Sequence, residues 1–82
     1  MIDWIRSGDK LEKGGSVISA SATMTFDGKS VARKGDAVVC EQHTMSQNHI
    51  VEGDEATMDC GLPIARHGHK AACGCRLISS LL

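Results

Sequence analysis

The apolar residues of this chain fall into short runs that alternate with small or polar residues, and tight-turn signals separate the runs. Residues 17–26 mix β-branched and small residues, and the run ends at Asp27-Gly28, a dipeptide typical of a two-residue hairpin turn. The alternation resumes at residues 30–33. No convincing apolar stripe has helical spacing, and Gly14-Gly15 interrupts the one weak candidate, residues 11–24. The pattern therefore predicts an all-β fold of short strands and tight turns.

The same pattern occurs more than once along the chain. Residues 17–40 and residues 50–73 align at a shift of 33 positions without a gap. In this alignment glycines match glycines, apolar residues match apolar residues and arginines match arginines. A partial third copy opens at Gly8-Asp9, and residues 41–49 contain an insertion. Three similar β-units predict a three-sided stack around a pseudo-threefold axis. The matched positions are Gly28 and Gly61, Arg33 and Arg66, Gly35 and Gly68, and Cys40 and Cys73.

Length and composition limit what such a chain can be. Its 82 residues suffice for a single domain, expected to span residues 1–82 without an appended domain. A core this small is marginally stable, so the 4 cysteines and 4 histidines are candidates for a stabilising cross-link, either a disulfide or a bound metal. A formal net charge of -1 and only two aromatic residues, Trp4 and Phe26, argue against nucleic-acid binding. The start of the chain has no secretory signal, which predicts synthesis in a reducing cytosol, where cysteines favour metal binding.

A zinc site is predicted from four residues, Cys40, His43, His49 and Cys73. Cys40 and His43 have a C-x-x-H spacing that lets one tight turn present both side chains, and His49 follows at the end of the insertion. Cys73 is the counterpart of Cys40 in the next copy, and both would converge with Lys13 near the pseudo-threefold axis. Two thiolates and two imidazoles form a closed tetrahedral set suited to structural zinc. Thiolates also disfavour magnesium and calcium.

Two alternatives to this ligand set stay open. His69 competes as a ligand, although it takes the place of Asp9 and Asp36 in the repeat. Those aspartates are expected to accept hydrogen bonds from turn amides. Cys40 and Cys73 could instead be inert buried thiols, since cysteine often behaves as a small apolar residue.

The remaining cysteines receive structural interpretations. Cys60 stands where the other copy has the turn residue Asp27, so it is not expected to be a ligand. Cys75 has no cysteine counterpart in the other copies and is interpreted as a packing residue. An enzyme is not predicted and no catalytic residue is assigned, because no third group orients the pair of Cys40 and His43 and the chain has no C-x-x-C.

Two segments carry a motif that is known from other proteins, Val31-Ala32-Arg33-Lys34-Gly35-Asp36 and Pro63-Ile64-Ala65-Arg66-His67-Gly68-His69. The opening at residues 8–15, the step Ile50-Val51-Glu52-Gly53 and the closing segment 73–79 follow in the matching order. Over about residues 6 to 80 the chain resembles PAAR proteins, named for proline-alanine-alanine-arginine. The order and spacing of these segments carry the resemblance together.

The resemblance implies a fold and a function. It implies a small cone-shaped β-domain that sits as a monomer on the trimeric valine-glycine-repeat spike of the type VI secretion system. There it would sharpen the tip, touch the target membrane only transiently and help attach effector proteins, with no effector domain of its own. It implies zinc near the apex, held by histidine and cysteine, and a broad base that binds the spike trimer. One departure is Lys13, where the family commonly has histidine.

The resemblance also implies where such a protein is found. It would be cytoplasmic before firing, and then secreted or delivered into the target cell. The alternative interpretation of the same residues is a free-standing zinc-binding protein-interaction module without an injection role. Co-purification with a spike trimer would separate the two.

Overall fold

Short β-strands make up the regular structure of the chain. The computed structural model describes residues 2–42 and 47–82, and within these ranges it contains eight strands and no helix. None of these residues therefore belongs to a helix long and apolar enough to cross a membrane. The predicted all-β fold of short strands and tight turns is confirmed. The strands are β1 (Lys10–Leu11), β2 (Gly15–Val17), β3 (Thr25–Phe26), β4 (Lys29–Ser30), β5 (Val38–Cys40), β6 (Asp54–Asp59), β7 (Leu62–Ile64) and β8 (Leu77–Ile78).

The strands form one antiparallel sheet and two separate hairpins. The sheet has the order β5-β2-β1-β8, and the hairpins are β3-β4 and β6-β7. Each hairpin turns on a non-glycine residue in the left-handed region, Asp27 (φ 53°) and Cys60 (φ 51°), followed by a glycine with positive φ. Two consecutive residues with positive φ are the geometry of a tight hairpin turn. The prediction that Cys60 occupies the turn position of Asp27 is confirmed.

A closed ring of backbone hydrogen bonds joins the three repeats. The amide of Ile5 donates to the carbonyl of Ala65 (2.9 Å), that of Ala32 to Ile5 (2.8 Å) and that of Ala65 to Ala32 (3.0 Å). All three residues are fully buried. Because each segment donates to the next and the last returns to the first, the ring has threefold connectivity. This is the pseudo-threefold arrangement that the sequence repeat predicts.

The repeats share one turn, in which a backbone amide donates to the side chain three residues later. The acceptor is a carboxylate in two copies and the histidine Nδ1 in the third. The prediction that the aspartates accept hydrogen bonds from turn amides is therefore confirmed, and His69 does the same through its ring. The bonds are Arg6 to Asp9 (2.9 Å), Arg33 to Asp36 (2.7 Å) and Arg66 to His69 (2.9 Å).

The core is built from small and medium apolar side chains inside the ring of repeats. Trp4 and Phe26 do not belong to it and pack against each other edge to face, with ring centroids 5.4 Å apart. In each repeat one member of an apolar pair is buried and the next is exposed, as at Val17 and Ile18. The core cluster consists of Ile5, Leu11, Val17, Ala32, Val38, Cys40, Ile50, Ala65, Ala71, Cys75 and Leu77.

The chain path places the hairpin β3-β4 at the end of the molecule away from Cys40. Strand β2 begins opposite Cys40, where Gly15 pairs with it, and then runs away from it. The chain continues to Ser21, whose amide donates to the carbonyl of Val31 beside the ring (2.8 Å), and then enters β3. Cys40 and β3-β4 therefore lie at opposite ends of this chain path.

Asp59, the last residue of β6, brings the second hairpin to the same end. Its carboxylate accepts hydrogen bonds from the hydroxyls of Ser21 and Thr23 and pairs with Arg33 (3.5 Å). The Ser21 hydroxyl is the main reason that the pKa of Asp59 lies below its ordinary value, and Thr23 and Arg33 add to it against the opposing effect of burial. We call this end, formed by β3-β4 and β6-β7 with their turns, the hairpin end.

Candidate metal centre

Strand β5 and a glycine turn near the end of the chain position three cysteines. Cys40 ends β5 and faces inward, because residues alternate along a strand and Val38 is also buried. Cys73 and Cys75 flank Gly74, whose φ of 93° and amide bond to the carbonyl of Ala71 (2.9 Å) define a tight turn. This turn directs both flanking thiols towards Cys40.

The three sulfur atoms form one compact group. The Sγ atoms of Cys40, Cys73 and Cys75 all lie within 4.8 Å of one another, and those of Cys40 and Cys75 lie 3.2 Å apart. Cys40 (6% exposed) and Cys75 (1% exposed) are buried, whereas Cys73 is half-buried. We call this group the cysteine cluster. It is sheltered from bulk water on the side of the core and reachable on the side of Cys73.

Asn48 holds Cys73 in place through both ends of its amide. Its Nδ2 donates to the sulfur of Cys73 (3.2 Å), and its Oδ1 accepts the backbone amide of Cys73 (3.3 Å). Asn48 is itself buried. A side chain fixed in this way orients a sulfur ligand and stabilises its negative charge.

Hydrogen bonding gives the thiols of the cysteine cluster different pKa values. Burial opposes ionisation of Cys73, but hydrogen bonds from the Cys75 backbone and the Asn48 amide outweigh it and lower the pKa of Cys73. The neighbouring Cys40 thiol, together with burial and Cys73, raises the pKa of Cys75 to about 12. Cys73 therefore gives up its proton more readily than Cys75 does. A bound cation would favour the deprotonated form of both sulfurs.

The donor set fits a soft or borderline cation such as zinc. Two sulfurs that bind one zinc at about 2.3 Å each can lie at most about 4.6 Å apart. None of the three separations exceeds 4.8 Å and that of Cys40 and Cys75 is 3.2 Å, so small side-chain adjustments would let all three sulfurs reach one ion. Sulfur ligands also select against magnesium and calcium, which prefer oxygen. Among the described residues, Cys40, Cys73 and Cys75 therefore form a group that could hold a metal.

The structure brings together two of the four residues predicted as ligands. Cys40 and Cys73 lie in the cluster. His49 is exposed, and its Nδ1 lies 3.1 Å from the carbonyl oxygen of Gln47, outside the group of three sulfurs. His43 lies outside the described residues. The complete set of Cys40, His43, His49 and Cys73 stays a prediction.

Other residues weighed as ligands or axial groups have different surroundings. Lys13 is exposed in the turn after β1, so of the three equivalent axial residues only Cys40 and Cys73 are in the cluster. The Nδ1 of His69 accepts the backbone amide of Arg66 in the repeat turn. His67 is exposed, and its Nδ1 accepts the backbone amide of Ser79 (3.1 Å).

Cys75 is the cluster member that the sequence interpretation assigned to packing. It is buried as expected, but its sulfur also faces the other two. The signal that could have indicated this is the glycine between the two cysteines. In Cys-Gly-Cys the alternate residues can share a face, and the glycine permits the turn that brings them together.

Comparison with known proteins agrees with this architecture. The sequence model of the PAAR motif family matches residues 7–79, and the chain therefore belongs to the PAAR family. No curated protein matches the chain in a direct search. The PAAR family is a structural family of spike-tip proteins in the type VI secretion system. The repeat, the three-sided core and the cysteine cluster of this chain are consistent with such a protein.

Proposed function

We propose that this chain caps the trimeric valine-glycine-repeat spike of a type VI secretion machine as a non-enzymatic structural tip. The observation that carries the proposal is the closed hydrogen-bond ring of Ile5, Ala32 and Ala65, which gives a single chain three nearly equivalent sides. A monomer with this symmetry can present one side to each subunit of a true trimer. Membership of the PAAR family supports the same assignment.

The hairpin end is the proposed base that docks on the spike. Met58 (48% exposed) and Leu62 (39% exposed) are solvent-exposed apolar side chains on β6 and β7. A partner that sits on the pseudo-threefold axis would cover this end and leave the sides of the sheet in contact with water. Burying such side chains stabilises a complex by about 25 cal/mol per Å² of apolar surface, before the entropy cost of association.

The cysteine cluster, at the opposite end, would form the apex. A zinc ion held there by Cys40, Cys73 and Cys75 would join β5 to the turn at Gly74. The fourth ligand would be a histidine of the insertion, either His43 or His49. A metal held in this way contributes to folding free energy where the core is small. Its role is to keep the tip rigid during firing.

Binding to the spike is tested with a matched pair of variants. We expect one chain to co-purify with each spike trimer, and Met58→Asp to abolish this. Ile18→Asp is the control, because Ile18 is similarly exposed (56%) but follows β2 on the side of the sheet. If both variants bind as well as the original chain, the hairpin end is not the base. If the original chain binds zinc but no spike trimer, the free-standing zinc module replaces the tip assignment.

Metal binding is tested by elemental analysis of protein purified without added metal. We expect about one zinc per chain, in line with a single closed sulfur-rich site. Cys75→Ser should lower the zinc content and Cys60→Ser should not, since Cys60 lies in the turn of the second hairpin. Separate alanine variants of His43 and His49 identify the fourth ligand. A zinc content unaffected by Cys75→Ser would remove Cys75 from the site.

The structural role of the metal has a separate test. We expect Cys73→Ser, or a chelator, to lower the melting temperature of the chain. Equal melting temperatures with and without chelator would show that packing alone shapes the tip. The spike-binding assay would then decide whether the tip assignment stands without a metal.

A further inference from the structure

Two sulfurs of the cysteine cluster lie closer than a metal requires. Sulfurs around one tetrahedral zinc lie about 3.8 Å apart when each Zn–S bond is about 2.3 Å. Those of Cys40 and Cys75 are 3.2 Å apart and belong to residues 35 positions apart in the chain. A disulfide bond needs about 2.05 Å. The remaining approach of a little over 1 Å is within reach of side-chain rotation.

The third sulfur is a less suitable partner for either of these two. Asn48 holds Cys73 at both its sulfur and its backbone amide. A bond between Cys73 and Cys75 would close a very small ring around Gly74, which already has a φ of 93°. The pair of Cys40 and Cys75 instead joins two distant segments, and its sulfurs already lie 3.2 Å apart.

We propose that Cys40 and Cys75 form a reversible disulfide under oxidising conditions. This bond replaces the metal as the cross-link at the end of the molecule that contains the cysteine cluster. The oxidant is a small-molecule disulfide. The sulfur of Cys40, the more exposed of the two, attacks one sulfur of the oxidant and releases the other as a thiol. The sulfur of Cys75 then attacks the mixed disulfide and releases the second thiol. Two protein thiols are oxidised, and one small-molecule disulfide is reduced to two thiols.

The bound metal and the disulfide exclude each other but connect the same segments. A disulfide uses two of the three sulfurs that a metal would need, so the metal must leave before the bond forms. Both cross-links would connect β5 to the segment around Gly74. The exclusion rests on the proposed metal site, whereas the disulfide itself depends only on the sulfur geometry. The end would therefore remain cross-linked when a chain moves from a reducing to an oxidising compartment.

The test uses the chain with Cys60→Ser, which removes the exposed cysteine from the hairpin turn. Metal-stripped protein is incubated with glutathione disulfide, and its mass and proteolytic peptides are measured. We expect the loss of two hydrogens per chain, a peptide that links Cys40 to Cys75, and full reversal by a thiol reductant. Addition of Cys73→Ser should leave the link intact, and addition of Cys40→Ser should abolish it. Prior loading with zinc should prevent the reaction.

Two outcomes would overturn the proposal, and neither needs a folded cluster variant. One is a link between Cys73 and Cys75 in the Cys60→Ser chain. The other is a product that carries only glutathione adducts and no internal link. The metal-site proposal is tested separately. A chain that binds no zinc but forms the Cys40–Cys75 link would refute the metal site and support the disulfide.

Discussion

Replacing Gly15 with alanine tests how closely β2 and β5 must approach for Cys40 to take its place. Gly15 has a φ of 103°, and a Cβ atom at this residue would lie 2.0 Å from the carbonyl oxygen of Val39 and 2.8 Å from the Cα of Cys40. These are backbone atoms, so the two strands would have to separate. The displaced residue would be Cys40, one of the three residues of the cysteine cluster.

The control is Gly8→Ala, which shares the backbone strain but not the clash. Gly8 has a φ of 87°, and a Cβ there would meet nothing within 4 Å. A left-handed conformation costs an alanine about 1–2 kcal/mol, and this cost is common to both variants. Forcing atoms into a filled space adds about 1–3 kcal/mol, and only Gly15→Ala carries that addition. A chain of 82 residues has a total stability of about 4–12 kcal/mol, so the difference is a large part of it.

The assay is urea unfolding of the original chain and both variants, each with excess zinc and with chelator. We expect Gly15→Ala to lower the free energy of unfolding by about 1–3 kcal/mol more than Gly8→Ala does. We also expect it to weaken zinc binding, whereas Gly8→Ala leaves zinc binding unchanged. Equal losses of stability in the two variants would refute the close approach of β2 and β5. Normal zinc affinity in a destabilised Gly15→Ala chain would refute its link to Cys40.

Three further predictions follow from the contacts of single residues. Asn48→Ala removes the amide that orients Cys73 and should weaken zinc binding about 10-fold or more, measured by competition with a chelator; unchanged affinity would contradict this. The pKa of Asp59 is lowered in the fold, so its charged form adds stability above pH about 4 that is lost as pH falls through the lowered pKa. Acid unfolding of Asp59→Asn should therefore depend less on pH in that range, and an unchanged profile would rule out this contribution. Ala65→Leu in the buried ring should cost about 1–3 kcal/mol in urea unfolding, whereas Ala72→Leu at an exposed residue should cost little.

Local patterns in the sequence were sufficient to predict the short strands, the turns and the repeat. The hairpin turns at Asp27 and Cys60 and the repeat turns that end in Asp9, Asp36 and His69 all form within a few residues. Hydrogen bonds of this range depend on residue types at fixed offsets, so they can be identified from the order of residues alone. The threefold arrangement followed because equivalent sequences adopt equivalent local structures, which then pack as equivalent sides.

The composition of the cysteine cluster depended on tertiary structure, because it requires knowing which face of each segment points inward. Asn48 is buried and His49 is exposed, since neighbouring residues of an extended segment point to opposite sides. The insertion within residues 41–49 obscures this alternation in the sequence, so the C-x-x-H spacing could not show where His49 points. Cys75 has no cysteine counterpart in the other repeats, and only the turn at Gly74 brings its sulfur to the cluster. The sequence by itself determined the fold class and the repeat and indicated two of the three clustered cysteines, whereas the third cysteine and the orientation of His49 were decided by contacts between segments far apart in the chain.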